Sequence, residues 1–465
     1  MKDKISPRSG ILACEQGTAT FYLCDYDFRI MNGVPFKAPS ATEEKFAKLE
    51  QNNKYFHGIT HDGFDIAVYL GNNQIRPIHS IGIFHSSLYA IQNGNATSHD
   101  WEAIDAITFR GGTLNLLFSS QKPPYDFIDG AVKTVPPDSS FKSSFKYRNS
   151  DIVIQIGASS LETYKKDRVE LIGRIPYLTL RFSNPISFNE VSLHIEKIKS
   201  LISFMTFRNN VDFDEIALKQ KHSLSGPSLD SAFVYSKVSN VPTQKSEIHN
   251  ICFNEIEPCI PFLLDLIYNE SVNNPFAFMD FIPESDKRRG RITNDMVKNI
   301  VTCLECELAR LRGKDVTLVE PDSKSNTYLE EEKLLKALKK ELKSTIKSFQ
   351  ENNRKFLPKT NDMLQSSIRH MTLADADKFY LPYSRYQDFI RKLFNEPVSM
   401  PSREDIEQLV IYRNKITHGT QEVLDSRIAT TSYYLIGLIY CMILHSIGLD
   451  DNALNQVCLK HFLSY

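Results

Sequence analysis

The chain reads as an α+β multidomain protein, with a strand-rich, sandwich- or barrel-like N-terminal domain followed by an all-α helical bundle. Three observations predict this. Short runs rich in Val, Ile, Phe and Tyr, punctuated by Gly-Asn and Gly-Gly turns, fill the first 210 residues or so. Helical periodicity replaces them after about residue 250. The length, 465 residues, exceeds what a single core usually organises.

The N-terminal strands are announced by "TATFYLCDY", "FDIAVYLG", "IGIFHSSLYAI", "DAITFRGGTLNLLFSS" and "SDIVIQIG". "RIPYLTLRFSNPISFNEV" continues the pattern. "SLHIEKIKSLISFMTF" then changes period, with Leu193, Ile195, Ile198, Leu201 and Ile202 at helical spacing. This domain is assigned to residues 1–217. Residues 218–248 are Ser-rich and polar and read as a linker. The bundle is assigned to 249–465. "IEPCIPFLLDLIYNE" and "TNDMVKNIVTCLECELARLRG" open it as helices, the second stopped by Gly313. "TYLE", Thr327 to Glu330, has capping-box spacing and starts a lysine-rich helix. Further helices are expected around "SRYQDFIRKLF" and over 403–418.

Composition narrows the function. Apolar residues make up 42% of the chain and aromatic residues 11%, enough to fill packed interiors. The formal net charge is −1, which argues against a protein that coats long duplex nucleic acid and leaves local RNA engagement open. The eight cysteines are dispersed, and "MKDKISPRSG" lacks an apolar signal region. Together they predict a reduced, cytoplasmic protein. "YYLIGLIYCMILHSIGL", Tyr433 to Leu449, carries no charge over 17 residues, the short edge of a membrane span. It lacks flanking basic clusters, so a helix buried on all sides is expected and no membrane partner.

The candidate chemistry lies in "VIYRNKITHGT", Val410 to Thr420. An Arg and a His at such a spacing arise by chance about once or twice in a chain of this composition, so the context must carry the argument. Ser402 is a suitable N-cap, Glu404 and Asp405 fall in the first turn, and Gly419 is a natural stop. At about 100° per residue, Arg413 falls near the centre of the stripe formed by Ile406, Leu409, Val410 and Ile416. A guanidinium there needs a partner. Asn414 and His418 lie one turn apart and share an edge. Arg413 and His418 diverge by about 140° on a regular helix. One helix therefore does not easily bring both to one phosphate, whereas two facing copies do, with the apolar last helix as a dimerisation surface. A structural ion pair or helix cap is the other reading of Arg413 and His418.

R-N-x-x-x-H in a C-terminal bundle, followed by a long apolar helix, resembles the HEPN domain. A strand-rich half ahead of it is similar to the ApeA-like HEPN proteins of bacterial anti-phage defence. The resemblance spans about residues 250–465 and is sharp only at Arg413, Asn414 and His418. It implies a cofactor-free, metal-independent ribonuclease in which the ribose 2′-OH attacks the adjacent phosphorus. His418 would move the proton, Arg413 would hold the phosphoryl oxygens, and Asn414 would orient the phosphate or imidazole. It also implies a homodimer, an RNA substrate such as a tRNA anticodon loop, and a phage-derived trigger acting in a bacterial cytoplasm. A non-catalytic dimeric module that binds RNA or protein, with a ligand-sensing N-terminal domain, remains the second expectation.

"DKRRGR" is the densest basic patch, and its Lys287, Arg288, Arg289 and Arg291 would bind RNA phosphates or form a solvated loop. Cys303 and Cys306, one turn apart in "CLEC" without a second pair, read as core cysteines, and no metal site is assigned. Arg369 and His370 are candidate supporting residues for the site.

Overall fold

The structure is a computed structural model. It describes residues 7–14, 17–32, 55–70, 76–78, 81–94, 96, 99–118, 125–128, 131–134, 141–165, 168–221, 228–237, 250–284, 288–312, 337, 340–341, 344–345, 358–394, 399–420, 422–460 and 463. The chain divides into two compact units, Met1–Tyr268 and Asn269–Tyr465.

The first unit is built on one antiparallel ladder. Its strands are β1 (Arg8–Cys14), β2 (Gly17–Cys24), β3 (Asp27–Asn32), β4 (Tyr55–Thr60), β5 (Asp65–Tyr69), β6 (Arg76–Ile78), β7 (Ile81–His85), β8 (Leu88–Gln92) and β9 (Ile104–Arg110). A separate hairpin, β10 (Tyr125–Ile128) and β11 (Ala131–Thr134), follows. Then come β12 (Phe141–Tyr147), β13 (Ser150–Lys165), β14 (Arg168–Ile186), β15 (Glu215–Lys221) and β16 (Ser228–Ser236). Fourteen of these strands hydrogen-bond in the order β12-β13-β14-β9-β15-β16-β8-β5-β4-β1-β2-β3-β7-β6. The strand-rich N-terminal half is thus observed, as a single continuous ladder.

Alternation drives it. Along β4, Phe56, Gly58 and Thr60 turn inward while His57 and Ile59 face out. Phe56 joins Leu12, Phe21, Leu23, Phe28, Ile66, Val68 and Tyr89 in one core. Gly58 has a further reason to be glycine. A Cβ there would lie 2.3 Å from the Ile11 carbonyl oxygen, so β1 and β4 could not approach.

The expected linker over 218–248 is corrected. Residues 218–221 complete β15 and residues 228–236 form β16, at the middle of the ladder. Leu218 and Ala232 are fully buried and Val234 nearly so. Among the described residues Lys219 and Lys221 belong to β15 and Ser228, Ser231 and Ser236 to β16, and Ser231 is fully buried, its hydroxyl donating to the Leu218 carbonyl at 3.2 Å; composition alone does not separate such strands from a linker. Residues 222–227 and 238–249 lie outside the described residues.

Helix α1 (Phe188–Thr206) is capped by Ser187, whose side chain accepts from the Asn189 N–H at 3.2 Å, and buries Ile195, Ile198, Leu201 and Ile202 as its spacing predicts, whereas Leu193 of the same expected stripe is half-buried. Helix α2 (Ile260–Tyr268), expected to open the bundle, packs instead in the first unit. Tyr268 meets His194 Nδ1 at 2.9 Å and the Phe145 and Tyr147 rings at 5.0 Å, and Lys197 Nζ donates to the Ile267 carbonyl at 2.7 Å. The boundary therefore falls after Tyr268, not near residue 248.

The second unit is helical, with α3 (Asn294–Arg312), α4 (Pro358–Leu393), α5 (Arg403–Thr417), α6 (Ser426–Ser446) and α7 (Asp451–Cys458). Helix α6 packs against the other four. It carries Tyr433 to Ser446 of the uncharged segment, and 83% of its most apolar window is buried. Its residues Leu435 to Leu444 are covered by the neighbouring helices of the same chain and α7 follows it, so the expectation that it is the last helix and offers an apolar surface for dimerisation is corrected. Arg310 ties α3 to α6, donating in bidentate fashion to the fully buried Glu307 at 2.6 and 2.7 Å and to Ser446 Oγ at 2.5 Å. Cys303 and Cys306 are buried on α3, and burial pushes both thiols above their usual range. The capping box at 327–330 and most of the lysine-rich helix lie outside the described residues. Residues 337, 340, 341, 344 and 345 of that segment are helical.

Candidate functional site

Ser402 caps α5 and Gly419 ends it, as the sequence suggests, and Asp405 adds a reciprocal bond the sequence reading did not include. Ser402 Oγ accepts from the Asp405 N–H at 3.3 Å, and Asp405 Oδ2 accepts from the Ser402 N–H at 2.7 Å, a reciprocal capping box. Arg403 grips Asp377 on α4 through two bonds, at 2.6 and 3.0 Å. At the other end the Thr420 N–H reaches the Lys415 carbonyl at 3.1 Å and the Gly419 N–H reaches Ile416 at 3.3 Å. That is a Schellman closure, and it places Gly419 in the left-handed region at φ +82°.

This termination positions His418. It is the residue after the last helical one, with φ −88° and ψ 13°, and its N–H still bonds the Asn414 carbonyl at 3.2 Å. His418 is exposed, and its imidazole makes no hydrogen bond among the described residues. Asn414, one turn earlier on the same edge, is half-buried. Its Oδ1 accepts from Arg413 Nη1 at 3.1 Å, which leaves the amide N–H groups of Asn414 as donors toward solvent or ligand.

Arg413 departs from the expectation of a guanidinium buried at the centre of an apolar stripe. The buried face of α5 is Ile406, Leu409, Val410, Tyr412 and Ile416. The Arg413 side chain borders that face with 21% of its surface accessible, and its Nη2 is ion-paired to Glu305 of α3. The long alkyl stem covers apolar surface while the charged head sits at the rim. The guanidinium thus already has a carboxylate partner, together with the Asn414 amide oxygen.

Two further contacts hold α5 against α3 and the loop after α5. Tyr412 donates to Asn294 Oδ1 at 2.7 Å, and Lys415 Nζ pairs with Glu422 at 2.9 Å. Burial raises the Tyr412 phenol above its ordinary value, so it stays protonated as a donor.

The basic patch is only partly available. Arg288 is exposed and pairs with Glu284 at 2.7 Å, and Arg291 is exposed. Arg289 is corrected: it is 8% accessible and turned into the bundle, near enough to Tyr440 on α6 to oppose the effect of burial on that phenol. The turn at Gly290, whose N–H donates to the Tyr433 hydroxyl, directs it inward. Lys287 and the side chains of Arg369 and His370 lie outside the described residues.

The structure therefore brings Arg413 and Asn414 together, sets His418 on the same edge as Asn414, and leaves Arg288 and Arg291 apart from them in sequence and on a different element. Glu305 escaped sequence reading. It lies 108 residues from Arg413, between Cys303 and Cys306, and no local pattern points to it. Comparison with models of known protein families, with curated proteins and with solved structures finds no match to this chain.

Proposed function

We infer that the C-terminal unit is a metal-independent endoribonuclease of the HEPN type, acting as an effector of antiviral defence. The observation that carries this reading is the tip of α5. There an exposed imidazole stands one turn from Asn414, which in turn braces the Arg413 guanidinium. These groups can supply the proton transfer and the phosphoryl-charge stabilisation on which cleavage through the ribose 2′-OH relies. The 2′-oxygen attacks phosphorus, the 5′-oxygen leaves, and the products are a 2′,3′-cyclic phosphate and a 5′-OH. His418 takes the proton from the 2′-OH or gives one to the leaving oxygen, since an imidazole nitrogen both accepts and donates a proton. Arg413 stabilises the charge that grows on the phosphoryl oxygens. Asn414 donates to phosphate or orients the imidazole.

Because Arg413 and His418 diverge around the helix, two copies of the chain supply the complete set, each contributing an Arg and a His to a shared cleft. An RNA loop, such as a tRNA anticodon loop, suits this site because extruded bases leave the 2′-OH free to align. The N-terminal unit senses infection or restrains cutting.

The test uses purified wild type, Arg413→Ala and His418→Ala with total RNA from phage-infected cells, in EDTA. The expected result is discrete fragments with 5′-OH ends from wild type alone. Identical cleavage by all three, or by none, favours the second reading, a non-catalytic interaction module. The specific observation on that side is the Glu305–Arg413 pair, which gives the arginine a structural role without any ligand.

A further inference from the structure

We propose that Glu305 restrains the site by competing with phosphate for Arg413. This rests on the ribonuclease reading and adds a resident competitor to it. The Glu305 carboxylate binds Nη2 while Asn414 Oδ1 takes Nη1, so both terminal nitrogens of the guanidinium are engaged within the bundle. A carboxylate and a phosphodiester have the same sign and draw on the same N–H donors of a guanidinium.

An incoming phosphate therefore faces two routes. It displaces Glu305, and the ion pair is lost. Alternatively Glu305 stays, and two anions sit side by side across one arginine. Both routes weaken phosphate binding, so the sign of the effect does not depend on which is taken.

Exchange is physically accessible. Glu305 is 46% accessible and Arg413 21%, so the pair lies at the rim of the bundle. Pairs in that setting are weakly held because water screens them and long side chains are costly to order. A buried, water-excluded pair would lock the arginine permanently. This one holds it in place and can be exchanged.

The neighbouring pair Lys415–Glu422 supplies an internal control. It carries the same charges on the same helix end and does not touch the Arg413 guanidinium. Removing the Glu422 charge alters the local field as Glu305→Gln does but leaves Arg413 occupied.

The experiment measures binding of a fluorescent RNA stem-loop with 2′-O-methyl riboses, which has no 2′-OH and cannot be cut. It uses the full chain as wild type, Glu305→Gln, Glu422→Gln, Arg413→Ala and the double variant Glu305→Gln/Arg413→Ala. Glu305→Gln is expected to bind about three- to fivefold more tightly than wild type. Glu422→Gln stays within about twofold of wild type, as expected for a screened charge outside the contact. Arg413→Ala binds more weakly, and the double variant shows no gain over it.

If Glu305→Gln binds no better than wild type while Arg413→Ala still loses affinity, the restraint is overturned and the ribonuclease site stands. If Arg413→Ala binds as wild type does, the ribonuclease site itself fails. A gain in Glu422→Gln equal to that in Glu305→Gln overturns the competition in favour of a general charge effect.

Discussion

At His418 the helix ends and the side chain stands in solvent, so removing it disturbs little packing. His418→Ala is expected to leave stability within about 0.5 kcal/mol of wild type, read by urea unfolding, while lowering cleavage by about 10²- to 10⁴-fold. The next residue behaves oppositely. Gly419 has open space around it but φ +82°, so Gly419→Ala introduces backbone strain alone and is expected to cost about 1–2 kcal/mol in the same unfolding measurement. The residue types at this site were legible in the sequence. Ser402 caps, Asp405 sits in the first turn, Gly419 stops the helix and His418 follows the last turn, while the bond that Asp405 returns to the Ser402 N–H is seen only in the structure. What the sequence did not give was the partner of Arg413. The helical angle placed it near the apolar stripe, but a long side chain reaches sideways to whatever the neighbouring helix offers, and Glu305 is distant in the chain.

At the scale of elements, burial of ionisable groups makes two testable statements. Glu307 is fully buried on α3 and satisfied by Arg310, which also reaches Ser446 on α6. Glu307→Ala strands the Arg310 charge between helices and is expected to destabilise the helical unit by about 3–5 kcal/mol, measured by thermal or urea unfolding. In the N-terminal unit, His194 on α1 is lowered to about 4 by burial and, secondarily, by the Arg148 charge. Its folded value lies below its unfolded value, near 6.5, so the unfolded chain takes up the proton first as pH falls. The stabilisation from keeping His194 neutral is full above about pH 6.5 and is lost progressively toward pH 4, by about 3 kcal/mol in total. Denaturant unfolding at pH 7 and pH 4.5 checks this, and His194→Gln is expected to show a shallower pH dependence than wild type. An equal slope in the variant assigns the effect elsewhere, to His99 among others, which burial also lowers to about 4. Elements themselves were readable where periodicity was strong, as in α1 and α6. They were misread in β15 and β16, because Ser, Lys and Gln in a strand resemble a linker by composition, even where Ser231 and Gln220 are buried and hydrogen-bonded.

At the scale of the whole molecule, the change from sheet to helix was plain in the sequence, but its position was not. Helix α2 has the periodicity of a bundle helix and packs with β12 and α1 instead. A local pattern states that a helix forms and not which core receives its apolar side. In the proposed function an Arg and a His are drawn from two copies into one cleft, a property no single chain displays. The most direct measurement mixes purified Arg413→Ala with His418→Ala and maps 5′-OH ends on RNA from phage-infected cells. Each variant alone is expected to be silent, and the mixture is expected to recover part of the wild-type cleavage at the same positions, because a mixed pair retains one intact Arg and one intact His. Wild-type cleavage by either variant alone, or a mixture as silent as its components while the wild type cuts, contradicts the shared site.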